Sequence, residues 1–210
     1  MTAINVAVSR DRKTGLMLTD SAAYDEATGG FAFLCAKCMT FPHSRSVAGY
    51  RGPGQHWSGF QQTLGTFASI DDMVANAPSA LLETLAWARK DEPACGIELS
   101  IVGVSDARGV VVLLSANSDD GFTMTQGDLL VSPVLDAREM RETGVSFGDF
   151  SPARDLLKIM HVQRRVVARE RAFIGGAAVL TTIGINGQIV QNVVHRWNDK
   201  IGDVVRPGGM

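Results

Sequence analysis

The sequence predicts an α+β fold in which antiparallel sheets are covered by helices. Strand patterns occur in blocks of hairpins, and helix patterns are grouped between those blocks instead of alternating with single strands. The chain has 210 residues, of which 45% are hydrophobic and 20% charged, so it can bury a large core. We expect one domain over residues 1–210, with two sheets packed face to face, a helical layer on each side, and a loose tail over residues 198–210.

The first third of the chain is predominantly strand. Apolar residues alternate over residues 4–10, a second strand covers residues 15–19, and the polar segment between them predicts a hairpin. Thr28-Gly29-Gly30 marks a turn. Extended segments follow over residues 31–34 and 37–41, and a short strand covers residues 46–50.

Two helices are predicted in the middle of the chain. The first covers residues 55–67 after a loop rich in glycine and proline. The second runs to residue 90, with Ser69 as its N-cap and Asp72 in the capping-box position. Pro78 could interrupt this helix, and the sequence does not decide whether it does. Its apolar residues recur with helical spacing.

The last half returns to strands around one more helix. Strands are predicted over residues 97–104, 110–115 and 128–131. Ser151-Pro152 is typical of a helix start, and that helix reaches residue 167. Gly175-Gly176 opens a strand that ends at residue 182. Asn186-Gly187 predicts a two-residue hairpin turn into a final strand over residues 188–194.

Charge and hydropathy exclude several partners. The net charge is −2 and basic residues form no block, which disfavours binding to nucleic acid or to anionic membranes. No apolar run approaches the ~20 residues that span a bilayer. The first residues lack the pattern of a secretory signal, so we expect a cytoplasmic protein.

The cysteines and histidines predict neither a metal nor a cofactor. Cys35 and Cys38 have C-x-x-C spacing, but no second pair accompanies them, and on a strand they would point to opposite faces. The histidines are scattered: His43, His56, His161 and His195. We expect His56 and His161 to be packing or surface residues.

The second residue is the most informative candidate for chemistry. A methionine in front of a residue as small as threonine is normally removed, which would leave Thr2 with both a hydroxyl nucleophile and a free amine. The α-amine titrates at a pKa of roughly 7.7–8.0, so it can act as the base. Asp20 follows the second predicted strand, and Lys37 stands alone in an apolar segment, where it needs a charged partner such as Asp20.

This order of elements resembles the four-layer αββα fold of the N-terminal nucleophile hydrolases, especially the proteasome β subunit and the related bacterial ring peptidases. Thr2, Asp20 and Lys37 match the nucleophile, aspartate and lysine of that family, and Ser21 is the small residue after the aspartate. Gly49 matches a glycine at a strand end that donates its N–H to the oxyanion. Gly175, with Gly176, matches the glycine pair that opens the penultimate strand. Ser132 and Glu170 are the nearest matches to supporting residues.

The resemblance implies that the Thr2 hydroxyl attacks a carbonyl while its own amine takes the proton. Lys37 would lower the cost of negative charge at the site, and Asp20 would hold Lys37 by a charge-assisted hydrogen bond. A structural salt bridge between the two is the alternative.

Three functions compete. The first is a threonine peptidase that acts on peptides or unfolded proteins inside a stacked double ring of identical subunits, with an ATPase partner left open. The second is a catalytically silent ring subunit, suggested by Arg171 and by Ala22-Ala23-Tyr24, which depart from the family pattern. The third is a small-molecule amidase of the same superfamily. We expect the helices with Trp57, Phe60, Leu64, Phe67 and Trp87 to contribute to the subunit contacts.

Overall fold

The computed structural model describes residues 2–25, 30–167 and 174–203. It has α+β architecture, as predicted, with antiparallel sheets and few helices. The elements follow in this order: β1 (Ile4–Val8), β2 (Thr14–Asp20), β3 (Ala22–Tyr24), β4 (Phe31–Leu34), β5 (Cys38–Phe41), β6 (Ser46–Arg51), α1 (Trp57–Gly65), α2 (Ile70–Asp91), β7 (Glu98–Ser105), β8 (Val110–Asn117), β9 (Thr125–Gly127), β10 (Leu129–Ser132), α3 (Ala137–Glu142), α4 (Pro152–Val167), β11 (Ala177–Gly184) and β12 (Ile189–Arg196).

Two five-stranded sheets carry most of the chain. The first sheet has the strand order β10-β1-β2-β11-β12, and the second has the order β5-β6-β7-β8-β9. Neighbouring strands in both sheets are antiparallel. β3 and β4 pair in a small sheet of their own. The first sheet brings the two ends of the chain together, since β1 and β2 lie beside β10 and β11.

The central strands of both sheets, such as β1, β2, β7 and β8, bury side chains on both faces. In β2, Met17 packs toward the second sheet, whereas Leu16 and Leu18 pack toward α4. This follows from the two-residue period of a strand, which sends successive side chains to opposite faces. The strand sequences are therefore nearly continuous in apolar residues instead of alternating with polar ones.

The apolar clusters show which elements cover each sheet. One cluster joins Ile4 and Val6 of the first sheet to Val102 and Leu113 of the second. Another joins α1 and α2 to the opposite face of the second sheet, and others join α4 to the opposite face of the first sheet. The facing sheets approach closely at Gly15, where a Cβ atom would collide with the side chain of Val102.

The predicted helices are present, with shifted bounds and one addition. α1 is shorter than expected, and α2 continues through Pro78 without an interruption. Ser69 caps α2 as predicted, because its Oγ accepts a hydrogen bond from the Asp72 N–H at 3.1 Å. The prediction missed α3, a six-residue helix that begins with a capping box of Asp136 and Glu139.

Two further expectations need correction. Phe60, Leu64 and Phe67 are buried in the subunit's own core, so they are not available for subunit contacts. The segment from Asn198 to Asp203 is not a loose tail, because Gly202 and Asp203 exchange backbone hydrogen bonds with Phe31 at 2.8 and 2.9 Å. Residues 204–210 lie outside the described part of the chain.

In the part of the chain that the structure describes, no helix combines the length and apolar character needed to cross a bilayer.

Candidate active site

The hairpin of β1 and β2 places the start of the chain beside Asp20. Ile4 pairs with Thr19, so Ala3 lies opposite the last residue of β2. The Ala3 N–H donates to Asp20 Oδ1 at 3.0 Å, and the Asp20 N–H donates to the Ala3 carbonyl at 3.4 Å. Thr2 is therefore held next to Asp20, and its side chain is buried. The structure thus brings together two of the residues that the sequence singled out.

The Asp20 carboxylate is bound by backbone N–H groups from three segments. Besides Ala3, the N–H groups of Ala22 and Gly175 donate to Oδ2 at 3.3 and 3.4 Å. Asp20 is fully buried, and this burial raises its pKa to about 6, although the charge of Lys37 and the N–H groups of Ala3 and Gly175 oppose the shift. The carboxyl group can therefore gain or lose its proton near neutral pH.

Lys37 differs from its predicted placement. It lies in the short connection between β4 and β5, not on a strand, and it is half-buried. In the described residues, the hydrogen bonds of Asp20 are to backbone N–H groups, and no direct ion pair joins Asp20 to Lys37. The lysine acts on the carboxylate through its electric field, so the expected charge-assisted hydrogen bond is not formed.

Ser21 and the glycine pair join β2 to β11. The Ser21 N–H donates to the Gly175 carbonyl at 3.3 Å, and the Ala177 N–H donates to Ser21 Oγ at 2.8 Å. Gly176 has φ of +72°, and a Cβ atom there would lie 2.9 Å from Ser21 Oγ. This close approach requires glycine.

The end of the chain supports the same glycine pair, which sequence reasoning did not anticipate. Asp199 accepts from the Gly176 N–H at 2.8 Å and forms a bidentate ion pair with Arg164 at 2.6 and 2.8 Å. Arg164 also donates to the Ile174 carbonyl at 2.6 Å and lies over the ring of Trp197. The segment that leads into β11 is therefore held in place by Arg164 of α4 and by Asp199, which follows β12.

The remaining candidate residues lie further from this arrangement. Gly49 is inside β6, not at a strand end, and is paired with both Cys38 and Ser100. A Cβ atom on Gly49 would lie 2.8 Å from Ile4, so the glycine lets the sheets approach. Its role as an oxyanion donor stays a prediction. The placement inside β6 does not favour that role, because backbone N–H groups within a sheet form hydrogen bonds with neighbouring strands.

Ser132 lies opposite Ile4 at the end of β10, close to the start of the chain. Its hydroxyl donates to Glu98 at 2.9 Å and accepts a hydrogen bond from Arg51, which also pairs with Glu98. These contacts connect β10, an edge strand of the first sheet, to β6 and β7 of the second sheet, and they do not involve Asp20. Glu170 and Arg171 lie outside the described residues.

A cleft of about 330 Å³ opens beside Ser21 and Lys37. It is lined by Thr19, Ser21, Leu34, Cys35, Ala36, Lys37, Cys38, Ala177, Val179, Gln191, Val193 and Arg196. Thr2 is not among these lining residues. The cleft has the volume of a small ligand site, since such sites typically have volumes of about 300–1,000 Å³.

The cleft contains residues that the sequence pattern did not identify. Cys35 and Cys38 both line it, contrary to the expectation that they face opposite sides, because residues 35–37 do not form a strand. Gln191 donates to Cys38 Sγ at 3.0 Å and to Thr181 Oγ1 at 3.1 Å. Arg196 adds a second cation beside Lys37. No local motif marks Gln191 or Arg196, which come from the last strand.

The sequence comparisons assign no family: no protein-family model matches the chain, and no curated protein matches it.

The buried carboxyl group predicts a pH dependence of stability. Because the folded pKa of Asp20, about 6, is above its usual value of 3.8, the folded state holds this proton more tightly than the unfolded state. The contribution of Asp20 to stability is therefore present below pH 4 and is lost as the pH rises through 6. We expect wild-type protein to lose about 2 kcal/mol of unfolding free energy from this group between about pH 4.5 and 7.5.

Urea unfolding of wild type and Asp20→Asn at the two pH values measures this contribution, since the other titrating groups are common to both proteins. The difference in unfolding free energy between the two pH values should be smaller in Asp20→Asn than in wild type. It should be unchanged in Asp128→Asn, a matched substitution of an exposed carboxylate. Equal pH dependence of wild type and Asp20→Asn would contradict the raised pKa.

Proposed function

We propose that the chain is a threonine-type N-terminal nucleophile hydrolase that cleaves peptide bonds through Thr2 after removal of Met1. The observation that carries this proposal is the buried Asp20 carboxylate, which is bonded to the Ala3 N–H at 3.0 Å and lies in the field of Lys37. A nucleophile that is also the first residue needs a fixed strand start, and this bond supplies it. The packing of two sheets between helices is also what the four-layer αββα fold of these hydrolases requires.

The proposed reaction uses groups at the start of the chain. The Thr2 hydroxyl attacks the scissile carbonyl, and the free Thr2 amine accepts the hydroxyl proton, either directly or through water. The acyl group then forms an ester with Thr2, the amine portion of the substrate leaves with a proton, and water hydrolyses the ester. The field of Lys37 stabilises the negative charge that develops on the carbonyl oxygen.

A catalytically silent subunit is the second candidate. It is favoured by the burial of Thr2 and by the absence of Thr2 from the residues that line the cleft. Retention of Met1 would exclude the peptidase, because an acylated Thr2 nitrogen cannot serve as the base, whereas removal of Met1 is compatible with both candidates. The intact mass of the purified protein, measured by mass spectrometry, therefore decides whether the proposed nucleophile exists.

We also propose that the subunits assemble as a homo-oligomer, most simply the stacked double ring that the resemblance implies. Support comes from exposed apolar side chains on α2, namely Val74, Leu82 and Trp87. Further exposed valines lie on β12, the edge strand of the first sheet: Val190, Val193 and Val194. Large apolar side chains concentrated on outer elements are typical of interaction surfaces.

Substitution of Thr2 tests the nucleophile. We expect Thr2→Ala to lower the hydrolysis of labelled casein and of short peptide amides by roughly a thousandfold or more, because the alanine side chain cannot form an ester. Thr2→Ser should retain measurable activity, and both small residues should leave Met1 removal unchanged. Full activity of processed Thr2→Ala would reject the mechanism.

Substitution of Lys37 tests whether its positive charge lowers the pKa of Asp20. We expect Lys37→Met to raise the pKa of Asp20 above its wild-type value of about 6, because the carboxylate loses a nearby positive charge. The loss of unfolding free energy that accompanies ionisation of Asp20 should shift to higher pH accordingly, and maximal activity should fall because the site loses a positive charge. Lys13→Met removes an exposed lysine from the β1–β2 turn and serves as the matched control. An unchanged pH dependence of urea unfolding in Lys37→Met would show that Lys37 does not act on Asp20.

Light scattering tests the assembly. At micromolar concentration we expect a mass of many multiples of the 22.5 kDa chain. Leu82→Glu should lower the mass, because it places a charge on the outer face of α2. Val134→Glu, a change at an exposed residue in the connection after β10, should not. A wild-type monomer would overturn the ring and would favour the small-molecule amidase.

A further inference from the structure

Three metal-ligating residues meet between the start of α1 and the end of α2. His56 ends the short turn that precedes α1, Glu92 is the C-cap of α2, and Cys95 lies in the connection to β7. The donor atoms of these side chains all lie within 4.8 Å of one another. None of the three residues lines the cleft beside Lys37. The cluster is therefore separate from the candidate active site.

The imidazole of His56 lacks a partner in this arrangement. His56 is 4% exposed, and among the described residues its Nε2 has no hydrogen-bond partner. The nearest carboxylate oxygen, Glu92 Oε2, lies at 3.6 Å, which is too far for a hydrogen bond. Buried polar atoms are normally satisfied, so an unpaired Nε2 that lies 3.6 Å from a carboxylate oxygen is available to bind a ligand.

The other two donors are held in place by neighbouring contacts. The Cys95 N–H donates to the Glu92 carbonyl at 2.9 Å, which forms a turn that brings the two side chains together. Gln55 donates to Glu92 Oε2 at 2.9 Å, and Arg89 donates to the Cys95 carbonyl at 3.3 Å. Cys95 is 1% exposed, so its thiol faces the protein interior. These contacts hold the Cys95 backbone and the Glu92 carboxylate close to His56.

We propose that His56, Glu92 and Cys95 form a site for a divalent transition-metal ion of the zinc type. Imidazole nitrogen, carboxylate oxygen and thiolate sulfur are the donors that Zn²⁺ uses, usually in tetrahedral geometry with bonds of about 2.0–2.3 Å. Coordination at those lengths requires the three side chains to move closer together. The Cys95 thiol releases its proton to solvent as the sulfur binds, and the thiolate and carboxylate together balance the charge of the ion.

The half-buried Glu92 leaves one side of the cluster near solvent, so water completes the coordination. The ion would join the turn before α1 to the end of α2, which are far apart in the sequence. Glu92 and Cys95 are only three residues apart, but this spacing is not a recognised metal motif without a third ligand, and His56 lies far from both in the sequence. Sequence spacing therefore did not reveal the site. His56 was expected to serve only in packing or at the surface.

Titration of the full-length, metal-stripped protein with Co²⁺ tests this proposal. We expect one Co²⁺ per chain, a charge-transfer band from thiolate to cobalt, and the strong visible absorption of four-coordinate cobalt. Zn²⁺ should displace the cobalt and raise the melting temperature of wild type. His56→Gln and Cys95→Ser should weaken binding by more than about tenfold, and Cys95→Ser should also lose the charge-transfer band.

Three further variants keep the test decisive. His43→Gln and Cys38→Ser alter another histidine and another buried cysteine, and both should retain the band and the stoichiometry. Glu92→Gln changes a half-buried residue, so the protein should fold while Zn²⁺ no longer raises its melting temperature. The proposal is overturned if folded wild type binds neither ion stoichiometrically, or if the band is lost in Cys38→Ser and kept in Cys95→Ser.

Discussion

The buried Asp20 carboxylate is the constraint on which the rest of the candidate site depends. A carboxylate without water is stable only when its oxygens accept hydrogen bonds. Asp20 accepts them from the backbones of Ala3, Ala22 and Gly175, which precede β1, begin β3 and precede β11. These bonds only partly offset the desolvation, since the pKa is still raised to about 6. One side chain therefore fixes three chain segments and remains able to titrate.

The neighbouring contacts follow from this central position. Because Gly175 must present its N–H to Asp20, the chain turns sharply at Gly176, where φ is +72°. Ser21 Oγ then accepts a hydrogen bond from the Ala177 N–H. The Asp199 carboxylate, which is paired to Arg164, accepts one from the Gly176 N–H. The three N–H donors at the start of β11 thus bind acceptors from two distant parts of the sequence, namely residues 20–21 and Asp199. Loss of any one acceptor would leave a buried N–H unpaired, which typically costs about 1–3 kcal/mol.

The sequence predicted those features that depend on local chemistry. Asn186-Gly187 lies in the turn between β11 and β12, with Gly187 at φ of +80°, but four residues connect the strands instead of the predicted two, and the Gly187 N–H donates to the Gly184 carbonyl. Ser69 caps α2 through its own side chain. The hairpin of β1 and β2 and the adjacency of Thr2 and Asp20 also follow from local patterns. α3 was missed because its six residues bury no side chain and so carry no apolar period.

Features that depend on contacts distant in sequence could not be predicted in the same way. Lys37 lies in an apolar stretch, which suggested a strand and a direct pair with Asp20. The tertiary contacts instead satisfy Asp20 through the backbone and leave Lys37 beside the cleft. Asp199 was assigned to a loose tail because its partner, Arg164, lies on a helix with no recognisable relation to it. A polar side chain can be recognised in the sequence, but its partner is set by the fold.

Dense packing behind the site gives these bonds their rigidity. Gly15 and Gly49 leave no room for a Cβ atom, so the two sheets lie close together around Met17 and Ile4. β1, β2 and β11 cannot shift apart without opening this interface, because close-packed interiors resist changes of volume. The packed core therefore helps Asp20 to hold the Ala3 and Gly175 N–H groups in position. Such pre-organisation lets the proposed nucleophile keep its place as charge develops during the reaction, since no reorientation of the backbone is needed.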